Sequence, residues 1–463
     1  MKVIAEKDYE RIHNASLKIL RETGIVFHSQ KAIELLKNHG VKTEGNIAYF
    51  SEKDIEYALE VAPSSFEWKA KDENKSVIVG EDLLVQPNVG EVYIEDLDQG
   101  RRKATLDDYA NIIKLCQASN VVNLNGGPPV DPADVGEEKK SLYMMYNVLK
   151  HTDKPMIGFC TNENNVIQTF KMFETTMEDS KILEKGHYLG VLVNPLSPLG
   201  FSGETIETIT EYAKRNQVIM LAPCIMAGIT GPIHLLGTSV LQNTEILAGL
   251  AYIQMVNPGT PVVYSVASTV GYMKSASFGS GSPEAMLINT PNIQMGLDFY
   301  HLPTRTMCGI THAKEVDAQA GYETMFSLMM GKLSGAHIFV QCMGVLDNLM
   351  VTSYEKFMID EEAISRLKRV WEGIDTSDSA LAVDAIQEVG HGGMYLTHPT
   401  TVSNFRKLWL PTVSNWDSYD DWEKGGKISV LRKANKRFKE ILNNAPPSLI
   451  SSETDNKLKS FLE

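Results

Sequence analysis

Cysteine is scarce in this chain of 463 residues: Cys116, Cys160, Cys224, Cys308 and Cys342 are scattered, with no CxxC pair. An odd number at wide spacing argues against a disulfide framework and fits a reducing, cytoplasmic setting. Basic charge is also in deficit, with 44 Lys and Arg against 58 Asp and Glu, a net charge of −14. Only Arg432–Arg437 is locally positive, which argues against a nucleic-acid partner. The first twenty residues mix charged and apolar side chains and offer no signal-peptide core. Long uninterrupted apolar runs are missing too. From Asn216 to Pro283 the only charged residues are Glu245 and Lys274, but Pro223, Gly228, Gly231, Pro232 and Pro258 cut the stretch into pieces too short to span a bilayer. It reads as the buried interior of a large fold, with no membrane partner. No P-loop, HExxH, nucleophile elbow or kinase motif is present. The apolar fraction of 43% excludes disorder as the main theme. A chain of this length buries a large core without staples or metals.

The organisation changes near residue 105. Residues 1–104 read as an N-terminal cap of helices and a small sheet, with Ser51 and Asp54 as a capping box and short alternating runs at Phe66–Trp68, Val77–Val79, Leu83–Val85 and Val92–Ile94. Thr105 then caps a helix, and apolar strands alternate with helices. The strands are Val121–Leu124, Pro155–Cys160, Tyr188–Val193, Val218–Ala222, Val262–Val266, Thr304–Ile310 and His337–Cys342. Continuous apolar strands between helices mean a parallel sheet covered on both faces. The number of units predicts an α/β fold of the (β/α)8 TIM-barrel class over residues 105–400, followed by a C-terminal helical extension over 401–463. The eighth strand has no place between Val345 and Leu396. Pro291 should kink or shorten its helix, and the tail from Ala445 reads as loosely held.

The active face of such a barrel lies at the strand C-termini. Residues read off those ends are Asn125, Cys160, Asn194, Cys224, Tyr264, Ser265, His312, Lys314, Gln341 and Cys342. This set holds few carboxylates and no evident metal cluster. The cysteines admit a zinc reading, but free cysteines more often serve as small buried apolar residues. Lys314 could form a Schiff base or simply be a solvated loop lysine beside Glu315 and Asp317. His312 is either a ligand-orienting donor or a satisfied loop histidine. Glu245, the sole acid of its region, binds something cationic or pairs internally with a group such as Arg305. Gly279–Glu284 reads as a glycine-rich turn with Ser282 as N-cap and Pro283 at N1. Tyr93, Tyr264, Tyr272, Tyr354, Phe357 and Tyr395 all fall in loops or beside strand ends. Aromatic faces around a polar-poor pocket suit a quaternary ammonium ion, held by cation–π contact.

The order of motifs adds a resemblance. It rests on Asp96-Leu97-Asp98-Gln99-Gly100-Arg101-Arg102, Ala104–Asp108, Gln242-Asn243-Thr244-Glu245-Ile246-Leu247-Ala248-Gly249, Pro258–Tyr264, Gly281–Glu284, Asp317–Glu323, Ser353-Tyr354-Glu355-Lys356-Phe357, Gly392-Gly393 and His398-Pro399-Thr400. With these the chain resembles the trimethylamine methyltransferase superfamily, specifically its non-pyrrolysine branch of quaternary-amine:corrinoid methyltransferases. The resemblance implies a (β/α)8 barrel and methyl transfer from a methylated amine to the Co(I) centre of a corrinoid on a separate small protein. Trimethylamine members carry pyrrolysine in the loop after the strand similar to His337–Cys342; here that loop reads Met343–Leu349, without it. That departure points to quaternary amines such as glycine betaine, with carnitine or proline betaine as alternatives.

Strand-end position makes His312 or Gln341 the expected carboxylate partner of a betaine, and Tyr93, Tyr264, Tyr354 and Phe357 the expected cage. No tightly bound metal is expected, and a homo-oligomer is the default assembly. A Schiff-base aldolase using Lys314 and a non-catalytic docking subunit for a corrinoid protein are the competing readings.

Overall fold

A computed structural model describes residues 2–463. Parallel strands alternate with helices through the chain: β1 Leu84–Val85, α1 Leu106–Ala118, β2 Asn125–Gly126, α2 Lys140–His151, β3 Met156–Ile157, α3 Glu163–Met177, β4 Leu189–Val193, α4 Gly203–Lys214, β5 Val218–Leu221, α5 Leu235–Val256, β6 Val262–Val266, α6 Pro283–Gln294, β7 Thr304–Met307, α7 Ala318–Ser334, β8 Ile338–Val340 and α8 Tyr354–Trp371. The 8-stranded sheet runs β1-β8-β7-β6-β5-β4-β3-β2. Its two edges meet where Asn123 and Leu124 N–H donate to Val85 O, at 2.8 and 3.1 Å. Val85 N–H in turn donates to Asn123 Oδ1 at 3.0 Å. The ring is therefore a closed (β/α)8 barrel.

The strand that the sequence withheld is β1. It comes from Leu84–Val85, inside the stretch read as the cap, and pairs in parallel with β8. The 104/105 boundary thus falls after the first barrel strand. Two residues are too few to show a strand period, and a side chain, Asn123, completes the seam. Pro291 neither breaks nor shortens α6 at its own position: the helix continues to Gln294 and runs into a wider π turn over Met295–Phe299. The tail is held as well. Ser452–Lys459 is helical, Leu458 is fully buried, and Tyr146 donates to Asp455 at 2.6 Å.

Side-chain alternation sorts each strand between lumen and outer core. The lower lumen is filled by Leu84, Leu124, Ile157, Val218, Met220, Val263 and Ile338 around Trp68. Trp68 belongs to the Phe66–Trp68/Val77–Val79 hairpin, which plugs the barrel floor. Its indole donates to Tyr188 O at 3.1 Å. A Cβ on Gly190 of β4 would sit 2.2 Å from the indole ring, so only glycine admits the plug. The upper lumen holds Ala222, Ala267, Met307 and Val340. Outside the ring, the N-terminal helix Lys7–Glu22 packs on α5, with Asn243 donating to Ser16 Oγ at 2.9 Å. The C-terminal helix Val430–Asn444 covers α8, with Phe438 stacked on Tyr354.

Glu245 of α5 meets neither a cation nor Arg305. It accepts from Ser197 Oγ at 2.6 Å and from Leu199 N–H at 2.8 Å, fastening the loop after β4. Burial raises its carboxyl to about 7.

Two predictions follow from this packing. Trp68→Ala should cost roughly 3–5 kcal/mol in chemical denaturation, as for other large buried aromatics; a loss under 1 kcal/mol would show that the plug does not support the barrel. Glu245 keeps its proton in the folded chain between pH 4.5 and about 7, where the unfolded chain releases it. Its stabilising contribution is full below pH 4.5 and is lost as pH rises through 7, by about 3 kcal/mol. Glu245→Gln should therefore flatten the fall of melting temperature over that window, and parallel curves for the two proteins would contradict the assignment.

Candidate active site

At the strand C-termini a cavity of about 330 Å³ opens between the loops after β1, β2, β3 and β4. Ile157 and Leu192 reach it from the lumen, Phe159, Cys160 and Asn194 line it from beyond the ends of β3 and β4, and Asp131, Glu137, Lys140 and Glu204 form a charged side. Asn194 Nδ2 donates to Ala222 O at 2.5 Å and lies 3.3 Å from Cys224 Sγ, extending the floor to β5. The Cys160 and Cys224 thiols are both solvent-accessible. They are nonetheless surrounded by protein, which raises both and takes Cys224 to about 11. Close backbone approach shapes the wall of this recess. Gly126 has φ +106°, and a Cβ there would lie 2.4 Å from Ile157 O.

A second cavity of about 660 Å³ lies beside it, among the loops after β5, β6 and β7. His312, Tyr272, Glu284 and Glu323 line it. His312 is half-buried, its backbone N–H donates to Glu323 at 2.8 Å, and burial lowers its imidazole. Tyr93 is half-buried at the rim, and the Arg101 guanidinium already covers its ring at 4.4 Å.

The other residues selected from the sequence go elsewhere. Tyr264 is fully buried and points outward from β6: its hydroxyl donates to Asn243 at 2.7 Å and accepts from Asn292 at 2.9 Å. Tyr354 is buried between α1 and the C-terminal helix and donates to Asp108 at 2.9 Å. Phe357 lies in the outer hydrophobic core. None of the three can form a cage wall, because each sits on an outward or helical face that packing consumes. Gln341 spends its amide on the Val89 backbone, accepting from N–H at 3.0 Å and donating to O at 2.9 Å. Lys314 is exposed and ion-paired with Asp347 on the loop after β7, away from the lumen. Cys116, Cys308 and Cys342 are buried, and among the described residues no group of three or more His, Cys, Asp or Glu is placed to hold a metal ion. No helix among them is long and apolar enough to cross a membrane.

The shared motifs mostly build the frame. Arg102 donates through two nitrogens to Asp108, at 2.6 and 2.8 Å, where the Tyr354 hydroxyl also lands. Leu97 N–H donates to Glu355. These contacts bind the loop after β1 to α1 and α8. In α5, Gln242 accepts from Ala267 N–H, Ser268 N–H and Ser268 Oγ, holding the loop after β6. Lys356 and Asp360 form a buried pair, and Asp360 accepts from Gly344 N–H at 2.7 Å, fixing the loop after β8.

Sequence reasoning missed Phe159, which follows β3 directly, and Glu91, which lies in a loop assigned to the cap. Glu91 is fully buried, neither carboxylate oxygen has a partner, and burial raises its carboxyl well above the usual range. Its signal was an acid seven residues beyond Leu84, legible only once Leu84 is known to start the barrel.

Comparison with known proteins places this architecture. The glycine betaine methyltransferase of Desulfitobacterium hafniense (strain Y51) is 35% identical over 462 residues, covering 99% of this chain and 96% of that one. The proline betaine:corrinoid methyltransferase of Eubacterium limosum is 31% identical, covering 98% and 96%. The crystal structure of the Methanosarcina barkeri monomethylamine methyltransferase shares the fold with a TM-score of 0.55 at 12% identity, over 95% of this chain and 88% of that one. The trimethylamine methyltransferase (MTTB) family model matches residues 1–463, and the chain, with its closed barrel and full-length likeness to betaine methyltransferases, belongs to that family.

Proposed function

We propose that this protein removes a methyl group from a quaternary ammonium betaine, glycine betaine first, and delivers it to the corrinoid of a separate partner protein in the cytoplasm. The observation that carries the reading is full-length likeness to two betaine methyltransferases, joined to a cavity at the strand C-termini that Phe159, Cys160 and Asn194 line. A quaternary nitrogen has no lone pair, so no general acid can activate it, and its leaving group departs as a neutral tertiary amine. The Co(I) of a corrinoid supplies the nucleophile. The chain's task is to hold the onium group, exclude water and align the methyl carbon.

The thiols support this division of labour. A thiolate beside an onium methyl would compete as acceptor, and burial disfavours that form by raising both thiols. Phe159 lines the recess and is a candidate aromatic contact for the onium group, His312 lines the second cavity, and the Tyr93 ring is already covered by Arg101. Carnitine and proline betaine are alternative donors. A homo-oligomer belongs to the same reading, supported by exposed Ile374, Leu381, Leu396, Leu408, Leu410 and Trp416.

Purified protein with Co(I) cobalamin and glycine betaine should yield the methylcobalamin spectrum and dimethylglycine. Reaction with trimethylamine but with no betaine would overturn the proposal. Maleimide labelling of Cys160 and Cys224, followed by peptide mass, should be slow at pH 7, accelerate towards pH 9.5 and be suppressed by millimolar glycine betaine. Labelling at full rate in saturating betaine would place the substrate elsewhere.

A further inference from the structure

Between the two apolar layers of the lumen lies a polar one. Arg305 is the second residue of β7, flanked by Thr304 and Thr306, whose methyl groups face α6 and α7 near Gly296 and Gly331. Alternation therefore turns Arg305 inward. It is 2% exposed, and its Nε donates to Gln86 Oε1, just beyond β1, at 2.8 Å. Among the described residues its terminal guanidinium nitrogens make no hydrogen bond and no carboxylate pairs with it; the groups that raise its affinity for its proton are the thiols of Cys224, Cys308 and Cys342. Gln86 Nε2 is buried and also without a partner. The two side chains thus present unspent donors side by side.

A buried guanidinium without a counter-charge is among the costliest arrangements a protein can hold. Arginine does not escape by losing its proton: burial lowers it only to about 10, so it stays cationic at neutral pH. The neighbours are small and do not neutralise it. Ser265 is its register partner on β6, and Ala222 and Ala267 are the lumen residues towards the mouth. The charge is also felt at the Cys224 thiol on the recess floor. A planar anion with acceptors only would satisfy guanidinium and amide together. A carboxylate has that shape and that charge.

We propose that Arg305 and Gln86 are the anion pole of the substrate site and bind the carboxylate of the betaine from inside the lumen, leaving its trimethylammonium group towards the mouth. This rests on the betaine reading above and adds what that reading lacks, the source of discrimination between a betaine and a quaternary amine without a carboxylate. His312 and Gln341 are replaced in this role, the first because it lies in the neighbouring cavity, the second because Val89 consumes its amide.

The test is equilibrium dialysis of the full-length protein with labelled glycine betaine and with choline, which keeps the trimethylammonium group and replaces the carboxylate by a hydroxymethyl group. Arg305→Met should weaken glycine betaine at least 100-fold and leave choline within threefold of wild type. Gln86→Leu should weaken glycine betaine about tenfold and choline not at all, and Arg305→Lys should fall between wild type and Arg305→Met. Without ligand, Arg305→Met should melt no lower than wild type, since a stranded charge has been removed. Glycine betaine binding by Arg305→Met within threefold of wild type, or equal loss of both ligands, overturns the assignment and leaves the methyl-donor proposal standing. Wild-type protein that binds none of glycine betaine, proline betaine or carnitine overturns both. Should Arg305→Met fail to fold, Gln86→Leu and Arg305→Lys decide the matter by the same ratio of ligands.

Discussion

A closed parallel barrel admits into its lumen every second residue of each strand, and water hardly follows. The rest of this molecule depends on that filter. Trp68 and the apolar layer around it seal one end, so access is confined to the strand C-termini. Whatever polar group passes the filter is then expensive unless something meets it. Inside the lumen Gln86 Nε2 has no partner among the described residues and Arg305 bonds only through Nε, whereas on the surrounding helices Glu245 and the Lys356–Asp360 pair are satisfied by the protein itself.

The division between frame and site is correspondingly sharp. The most recognisable sequence runs, around Arg102, Gln242 and Tyr354, hold loops in place through hydrogen bonds that end on backbone or on each other. Loops that bear no secondary structure need such anchors to keep a fixed mouth. The recess, by contrast, is made from short stretches after β1 to β4, chiefly Gly158–Thr161, together with the start of α2. A methyl transfer that needs position and dryness more than acid–base groups is compatible with so sparse a lining.

Much of the barrel was legible before folding. The strands from Leu189, Val218, Val262, Thr304 and Ile338 are runs of apolar residues between amphipathic or buried helices, and their limits agree with the structure to a few residues. Ser282 and Thr105 cap their helices because short hydroxyl side chains satisfy free N–H groups wherever they precede a helical run. The site was less legible. Tyr264 and Arg305 both belong to barrel strands, yet one faces the helices and the other the lumen. Inside a strand buried on both sides, hydrophobicity carries no period to tell them apart.

Sequence alone therefore determined the architecture and the family, because both are written in local periodicity and in ordered motifs. Tertiary structure decided which of the strand-end residues share a space. It moved Leu84–Val85 from cap to barrel, sent Tyr264, Tyr354 and Phe357 into packing, and spent Gln341 on the backbone of Val89. The reason is that orientation about a strand and closure of a ring are set by pairing register between segments far apart in the chain, and no single segment contains that information.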